Sequence, residues 1–356
     1  FMNFFYQISN LFFLGMLLSF MISIFILLTI GLHKDFTVDR NVGIQKIHVG
    51  NIPRIGGISI FFAITCIIFF IDNALGQKIE FFILCATPVF LIGIAEDLTK
   101  MIRPKWRLVA AFLTAILLVT FFNVKITETG LEIIDLLLDQ IFIVFLISIL
   151  AVTFMTQAMN IIDGLNGLSM GTSVVMLIAV ILISLMERDI FIFNFSLCFL
   201  GCIVGVLIIN FPLGKIFLGD GGAYLIGALL ATLVILLPER NPNISSFSSL
   251  LIVAYPVYET LRSFFRRLFS KKKSWYKPDD KHLHSLCFKV LNQKFSTLVS
   301  NSLASLIILI LPVLSSYFSI MYYNNIEALF VALLIIIMLF ELIMIFGNRL
   351  IIRTDK

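Results

Sequence analysis

Long stretches of this 356-residue chain carry no charged side chain, and that constrains its fold more than any other property. Several such runs extend for about 17–22 residues, the length an α-helix needs to cross a ~30 Å hydrocarbon core. Charged residues make up 13% of the chain, against roughly 25% in soluble domains. A β-barrel would show short alternating strands separated by turns, and the apolar runs here are continuous. The expected fold is all-α: a polytopic integral membrane protein, a single transmembrane domain over residues 1–356. About eleven crossings are expected, near 11–31, 56–71, 80–95, 107–122, 140–157, 168–186, 190–211, 221–237, 246–262, 299–318 and 326–346. Membrane lipids are its expected surroundings, and nucleic acid is not an expected partner.

The placement of Lys and Arg sets the orientation. Of the 26 basic residues only Lys78, Lys125, Arg188 and Arg240 fall in connections on one side. The others gather in or beside 32–55, 96–106, 158–167, 212–220, 263–298 and the C-terminal end. That side is therefore expected to be cytoplasmic, with the N-terminus outside and the C-terminus inside. The first apolar run lacks a positive flank and a small-residue cleavage site, so it is expected to remain as the first helix. Glu327 and Glu341 are read as the exceptions to otherwise charge-free spans. A transporter usually places ionisable groups inside its spans around a midplane site. Here the polar residues crowd one membrane face, which favours an interfacial enzyme.

Four polar clusters carry the chemistry. Glu96-Asp97 closes the third run; adjacent carboxylates suit a hard cation such as Mg²⁺, or are simply two solvated charges at a helix end. Asn160-Ile-Ile-Asp163-Gly164-Leu-Asn166-Gly167 repeats polar residues at three- and four-residue spacing, so in a helix they would share a side. Glycines there would serve helix packing alone, but packing does not explain an Asp and two Asn in a membrane setting. Phe217-Leu-Gly219-Asp220-Gly221-Gly222 opens the eighth run. Asp220 is either an N-cap or a metal ligand, with the glycines giving a phosphate access to free N–H groups and Lys215 nearby. His282-Leu-His284 follows a basic stretch and suits hydrogen bonding to phosphate. A zinc site with Cys287 would lack an evident fourth ligand.

Together these segments resemble the polyprenyl-phosphate N-acetylhexosamine-1-phosphate transferases. The resemblance includes Gln45-Lys46-Ile-His48 and Pro53-Arg54-Ile-Gly56-Gly57 and covers most of the chain, from the first inner loop to the long basic one. It departs from the family pattern at Glu96 and Asn166, where Asp is usual, and at Ser285, which ends the usual His-x-His-His. The Pro-Arg-Ile-Gly-Gly segment is similar to the branch that initiates O-antigen and other cell-surface polysaccharides, rather than to the muramyl-pentapeptide branch.

The resemblance implies transfer of N-acetylhexosamine 1-phosphate from a UDP-N-acetylhexosamine to undecaprenyl phosphate, with release of UMP. It implies catalytic roles for Asp97, Asp163, Asp220 and Glu96, and Mg²⁺ (or Mn²⁺) on Asp220 and Asp97. Lys46, His48, Asn160, Asn166, Lys215, His282 and His284 would bind substrate. The implied location is the bacterial cytoplasmic membrane with the site facing the cytoplasm, and a homodimer is compatible with it. Competing readings are a phospho-muramyl-pentapeptide transferase and a lipid or solute transporter.

Overall fold

The structure, a computed structural model, describes residues 2–39, 52–269 and 281–354. Lys46 and His48 lie outside the described residues. The chain opens with α1 (Met2–Leu28), which breaks at Thr29 and continues as α2 (Ile30–Thr37). A two-residue strand, β1 (Val38–Asp39), pairs antiparallel with β2 (Ile52–Pro53). Then follow α3 (Gly56–Ile67) with a single 3₁₀ turn, α4 (Asn73–Thr99), α5 (Pro104–Phe121), α6 (Glu132–Leu138), α7 (Ile141–Ile161), α8 (Leu168–Met186) and α9 (Ile190–Asn210). The chain ends with α10 (Gly219–Arg240), α11 (Ser246–Ile252), α12 (Ala254–Leu268), α13 (Leu283–Leu291), α14 (Thr297–Tyr322) and α15 (Ile326–Thr354).

The all-α polytopic expectation holds, and the helices differ in detail from the eleven spans. Among the described residues nine helices are long and apolar enough to cross a membrane. The run at 56–71 forms the 12-residue α3, only about 18 Å long at 1.5 Å per residue. The run at 246–262 divides into α11 and α12 around Val253. Pro256 has no N–H to offer the Ile252 carbonyl, so the helical ladder is interrupted there.

Helix α10 is the centre of the bundle, with 94% of its most apolar window buried. Glycine makes this packing feasible. A Cβ at Gly57 would collide with the backbone of Gly222, one at Gly93 with Gly221, and one at Gly227 with Thr156. Small residues at such crossings bring helix backbones into direct contact, which drives association where lipid removes the hydrophobic gain. At the bundle periphery, Phe13, Leu17, Phe69, Leu113 and Met338 are all exposed. A soluble monomer would not tolerate so extensive an apolar surface, so this is the lipid-facing wall.

Candidate active site

The site is assembled where two distant sequence segments meet. Phe217 N donates to Pro53 O (2.9 Å), and Gly56 N and Gly57 N donate to Phe217 O and Leu218 O (2.8 Å each). The Pro53–Gly57 segment is thus fastened to the N-terminus of α10. Gly219 adopts φ +77°, and a Cβ there would strike Arg54 O and Asp97. This tight, left-handed turn requires glycine.

Four ionic side chains interlock at the turn. Arg54 Nη2 lies 3.2 Å from Asp220 Oδ1 and 3.8 Å from Asp97 Oδ1. From the first turn of α5, Arg107 Nη1 donates to Asp220 Oδ2 at 2.5 Å. Asp97, at the end of α4, accepts from Asp220 N (2.9 Å) and Gly221 N (3.0 Å). Asp97 is therefore already engaged in holding the first N–H groups of α10, where a carboxylate is favoured. Glu96 is half-buried and accepts from Ile102 N at 2.8 Å.

Asp163 sits in the α7–α8 connection, and its carboxylate has no hydrogen-bond partner among the described residues. Burial raises its carboxyl to about 7; Arg54 opposes the rise and Asp220 adds to it. Two of the four ionic side chains, Arg54 and Asp220, therefore act on Asp163 through space. Asn160, at the end of α7, donates to the Tyr224 hydroxyl at 3.0 Å, so it faces α10 just below Asp220.

Asn166 has a different place from the one expected. It is 6% exposed; its amide donates to Pro212 O (3.3 Å), and its backbone is bound by Asn301 and Ser305. It ties the α9–α10 connection to α14 and offers little side chain to a ligand. Lys215 is exposed on that same connection and makes no ion pair among the described residues. His282 and His284 stack with parallel rings, centroids 5.3 Å apart. A Cβ at Gly164 would collide with His284 Nε2, which places that imidazole directly against the Asp163 loop. Burial, helped by His282, lowers His284 to about 4, so it is neutral near pH 7.

Several residues of this assembly carry little chemical signal in the sequence. Arg54 stands within the Pro-Arg-Ile-Gly-Gly motif, and Arg107 is one more basic residue beside an apolar run. Tyr224 carried no signal. Glu259 lies in an expected span and is 2% exposed, so Glu327 and Glu341 are not the only acidic residues to explain. A carboxylate in an otherwise apolar run was the available clue.

No group of three or more His, Cys, Asp or Glu that could hold a metal is found among the described residues, so a zinc cage at His282, His284 and Cys287 is not formed there. Mg²⁺ asks for less: one or two carboxylates, with water and substrate phosphate completing its shell. Asp220, near an Asp163 carboxylate without a hydrogen-bond partner among the described residues, fits a cation that arrives with a diphosphate. Asp97 fits such a role less well, because its oxygens already hold the α10 turn.

The family model described as Glycosyl transferase family 4 matches residues 79–238. A Thermotoga maritima protein named undecaprenyl-phosphate alpha-N-acetylglucosaminyl 1-phosphate transferase is 31% identical over 255 residues, 72% of this chain and 74% of that protein. Proteins of the same name from Salmonella typhimurium and Escherichia coli K12 are each 27% identical, over 285 and 282 residues, with 76% of both chains covered in each case. The matched region spans α4 to α10 and so contains Glu96, Asp97, Arg107, Asn160, Asp163 and Asp220.

Proposed function

Because the chain belongs to glycosyl transferase family 4, we propose that it transfers N-acetylglucosamine 1-phosphate, or a closely related N-acetylhexosamine 1-phosphate, from a UDP-sugar to undecaprenyl phosphate and releases UMP. The observation that carries this reading is Asp220 clamped between Arg54 and Arg107 at a glycine turn, with Asp163 beside it. The relatives' names supply the acceptor and the sugar.

The chemistry is a phosphoryl substitution. An oxygen of the acceptor phosphate forms a bond to the phosphorus that carries the sugar, and the bond from that phosphorus to the UMP oxygen breaks. UMP leaves with the electron pair. The acceptor needs little activation, since the second pKa of a phosphate monoester is about 6. The barrier lies in bringing two anions together in line.

Arg54 and Arg107 address that barrier. Both guanidiniums rest on Asp220, and each can exchange that carboxylate oxygen for phosphate oxygens, which a guanidinium can grip with two N–H groups. Asp163 is suited to hold the acceptor phosphate's remaining proton, because a carboxyl near 7 exchanges protons readily with a phosphate near 6. Mg²⁺, held by Asp220 and the diphosphate, would supply further charge neutralisation. Asp97 keeps the α10 turn, and so Asp220, in place. Lys46, His48, Lys215, His282 and His284 are proposed to approach the diphosphate or nucleotide from the surrounding connections.

The test is direct. Purified protein with UDP-GlcNAc, undecaprenyl phosphate and Mg²⁺ is expected to release UMP and form a lipid-linked sugar pyrophosphate. Asp220→Asn is expected to lose at least about a hundredfold in turnover, on the scale of removing a principal electrostatic group, with unchanged elution from a sizing column. No UMP from UDP-GlcNAc, UDP-GalNAc or 6-deoxy-HexNAc donors would reject the reading. Turnover of UDP-MurNAc-pentapeptide alone would move the protein to the other branch.

A further inference from the structure

Behind the histidine pair lies a buried carboxylate for which the reaction scheme above has no use. Glu259, in the middle of α12, is 2% exposed. Its Oε1 lies 2.7 Å from His282 Nδ1, and its Oε2 accepts from Leu283 N at 3.4 Å, the first free N–H of α13. On the other edge of the imidazole, Arg267 Nη2 lies 3.3 Å from His282 Nε2. A guanidinium has no acceptor, so Nε2 must be the accepting nitrogen and the ring proton must sit on Nδ1, pointing at Glu259. A chain results in which Arg267 donates to Nε2 and Nδ1 donates to Glu259. His284 stacks parallel to this ring and carries the contact to the Asp163 loop.

We propose that Glu259 is the positioning residue of the histidine motif. It holds His282 in the Nδ1–H tautomer, so that the Nε2 lone pair accepts from Arg267 and fixes that guanidinium beside the histidine pair. Orientation of a functional imidazole by a buried carboxylate is a general device, because the second nitrogen's partner decides which tautomer exists. The catalytic consequence rests on the transferase reading; the tautomer does not.

Two measurements test it. In protein labelled with ¹⁵N-histidine, His282→Gln identifies the His282 signals. At pH 7.5 they are expected to show a protonated Nδ1 and an unprotonated Nε2, and Glu259→Gln is expected to erode that preference. An Nε2–H tautomer, a doubly protonated ring, or an unchanged pattern in Glu259→Gln each overturns the proposal. In steady-state assays Glu259→Gln is expected to lower kcat/KM by about ten- to a hundredfold, the scale seen when the partner of a functional histidine is lost, and Glu259→Asp to recover part of it. In a His282→Ala background the same Glu259→Gln change is expected to alter kcat/KM by less than about twofold, as residues acting as one unit do. Full additivity would assign Glu259 to the scaffold alone. A wild-type protein with the expected tautomer but no transfer activity would reject the transferase reading and leave the tautomer assignment standing.

Discussion

Among single residues the ionic cluster shows how far local sequence reaches. Asp220 is legible because an Asp inside a glycine turn at the start of an apolar run invites a reason. Arg107 is not, since basic residues at inner helix ends are expected for orientation alone; only the fold shows it donating to Asp220. Asn166 misleads for a related reason. Its spacing from Asn160 and Asp163 assumes one continuous helix, whereas α7 ends at Ile161 and α8 begins at Leu168. His284 offers a test that separates burial from mere proximity. Its folded value is depressed to about 4, below the ~6.5 of an unfolded histidine. Between those values the unfolded state binds more protons, so the stability it contributes is complete above about 6.5 and is lost as pH falls toward 4. The thermal midpoint of the wild-type protein in detergent is therefore expected to drop more between pH 7 and pH 5 than that of His284→Gln. Equal drops would show that His284 is solvated rather than buried.

Whole elements were legible where hydrophobicity is continuous and illegible where backbone geometry decides. Each expected apolar run became helix, yet the interruption at Val253 depends on one proline, and α3 stops after 12 residues because a 3₁₀ turn follows. The β1–β2 pair could not be read at all, since strands of two residues show no alternation. The crossings of α10 with α3 and α4 are better defined by what they exclude. A Cβ on Gly57 would meet the backbone of Gly222, which no rotamer change can relieve, while Gly31 has nothing within 4 Å. Gly57→Ala is expected to push α3 off α10 at a cost of about 1–3 kcal/mol, with loss of folded yield and of activity. Gly31→Ala, on the exposed α2, is expected to match the wild type in both. Normal yield and activity for Gly57→Ala would mean that α3 is not seated on α10 in this register.

Across the whole molecule, polar chemistry separates to the two ends of the bundle, and the two ends do different things. At one end, side chains clamp loops to one another: Arg240 forks onto Asp189 at 2.7 and 3.0 Å, and Glu239 accepts from Thr127 N and Oγ1. At the other end, carboxylates, guanidiniums and imidazoles converge from α4, α5, α10, α12, the start of α13 and the residue after β2, with Asp163 among them. Orientation decides whether that second end can meet a cytoplasmic nucleotide sugar. Basic residues near a cytoplasmic leaflet gain about 1 kcal/mol each from its anionic lipids, and the imbalance of Lys and Arg favours that end by many residues. In a cysteine-free background, Lys105→Cys at the exposed start of α5 and Glu132→Cys at the exposed start of α6 lie on opposite sides of the helix between them. A membrane-impermeant maleimide is expected to label Glu132→Cys in intact spheroplasts and Lys105→Cys only after permeabilisation. The reverse pattern would turn the Asp220 site away from the cytoplasmic pool of nucleotide sugars. The proposed reaction would then lack its donor however well the ionic cluster is built, so topology is the condition on which the residue-level chemistry depends.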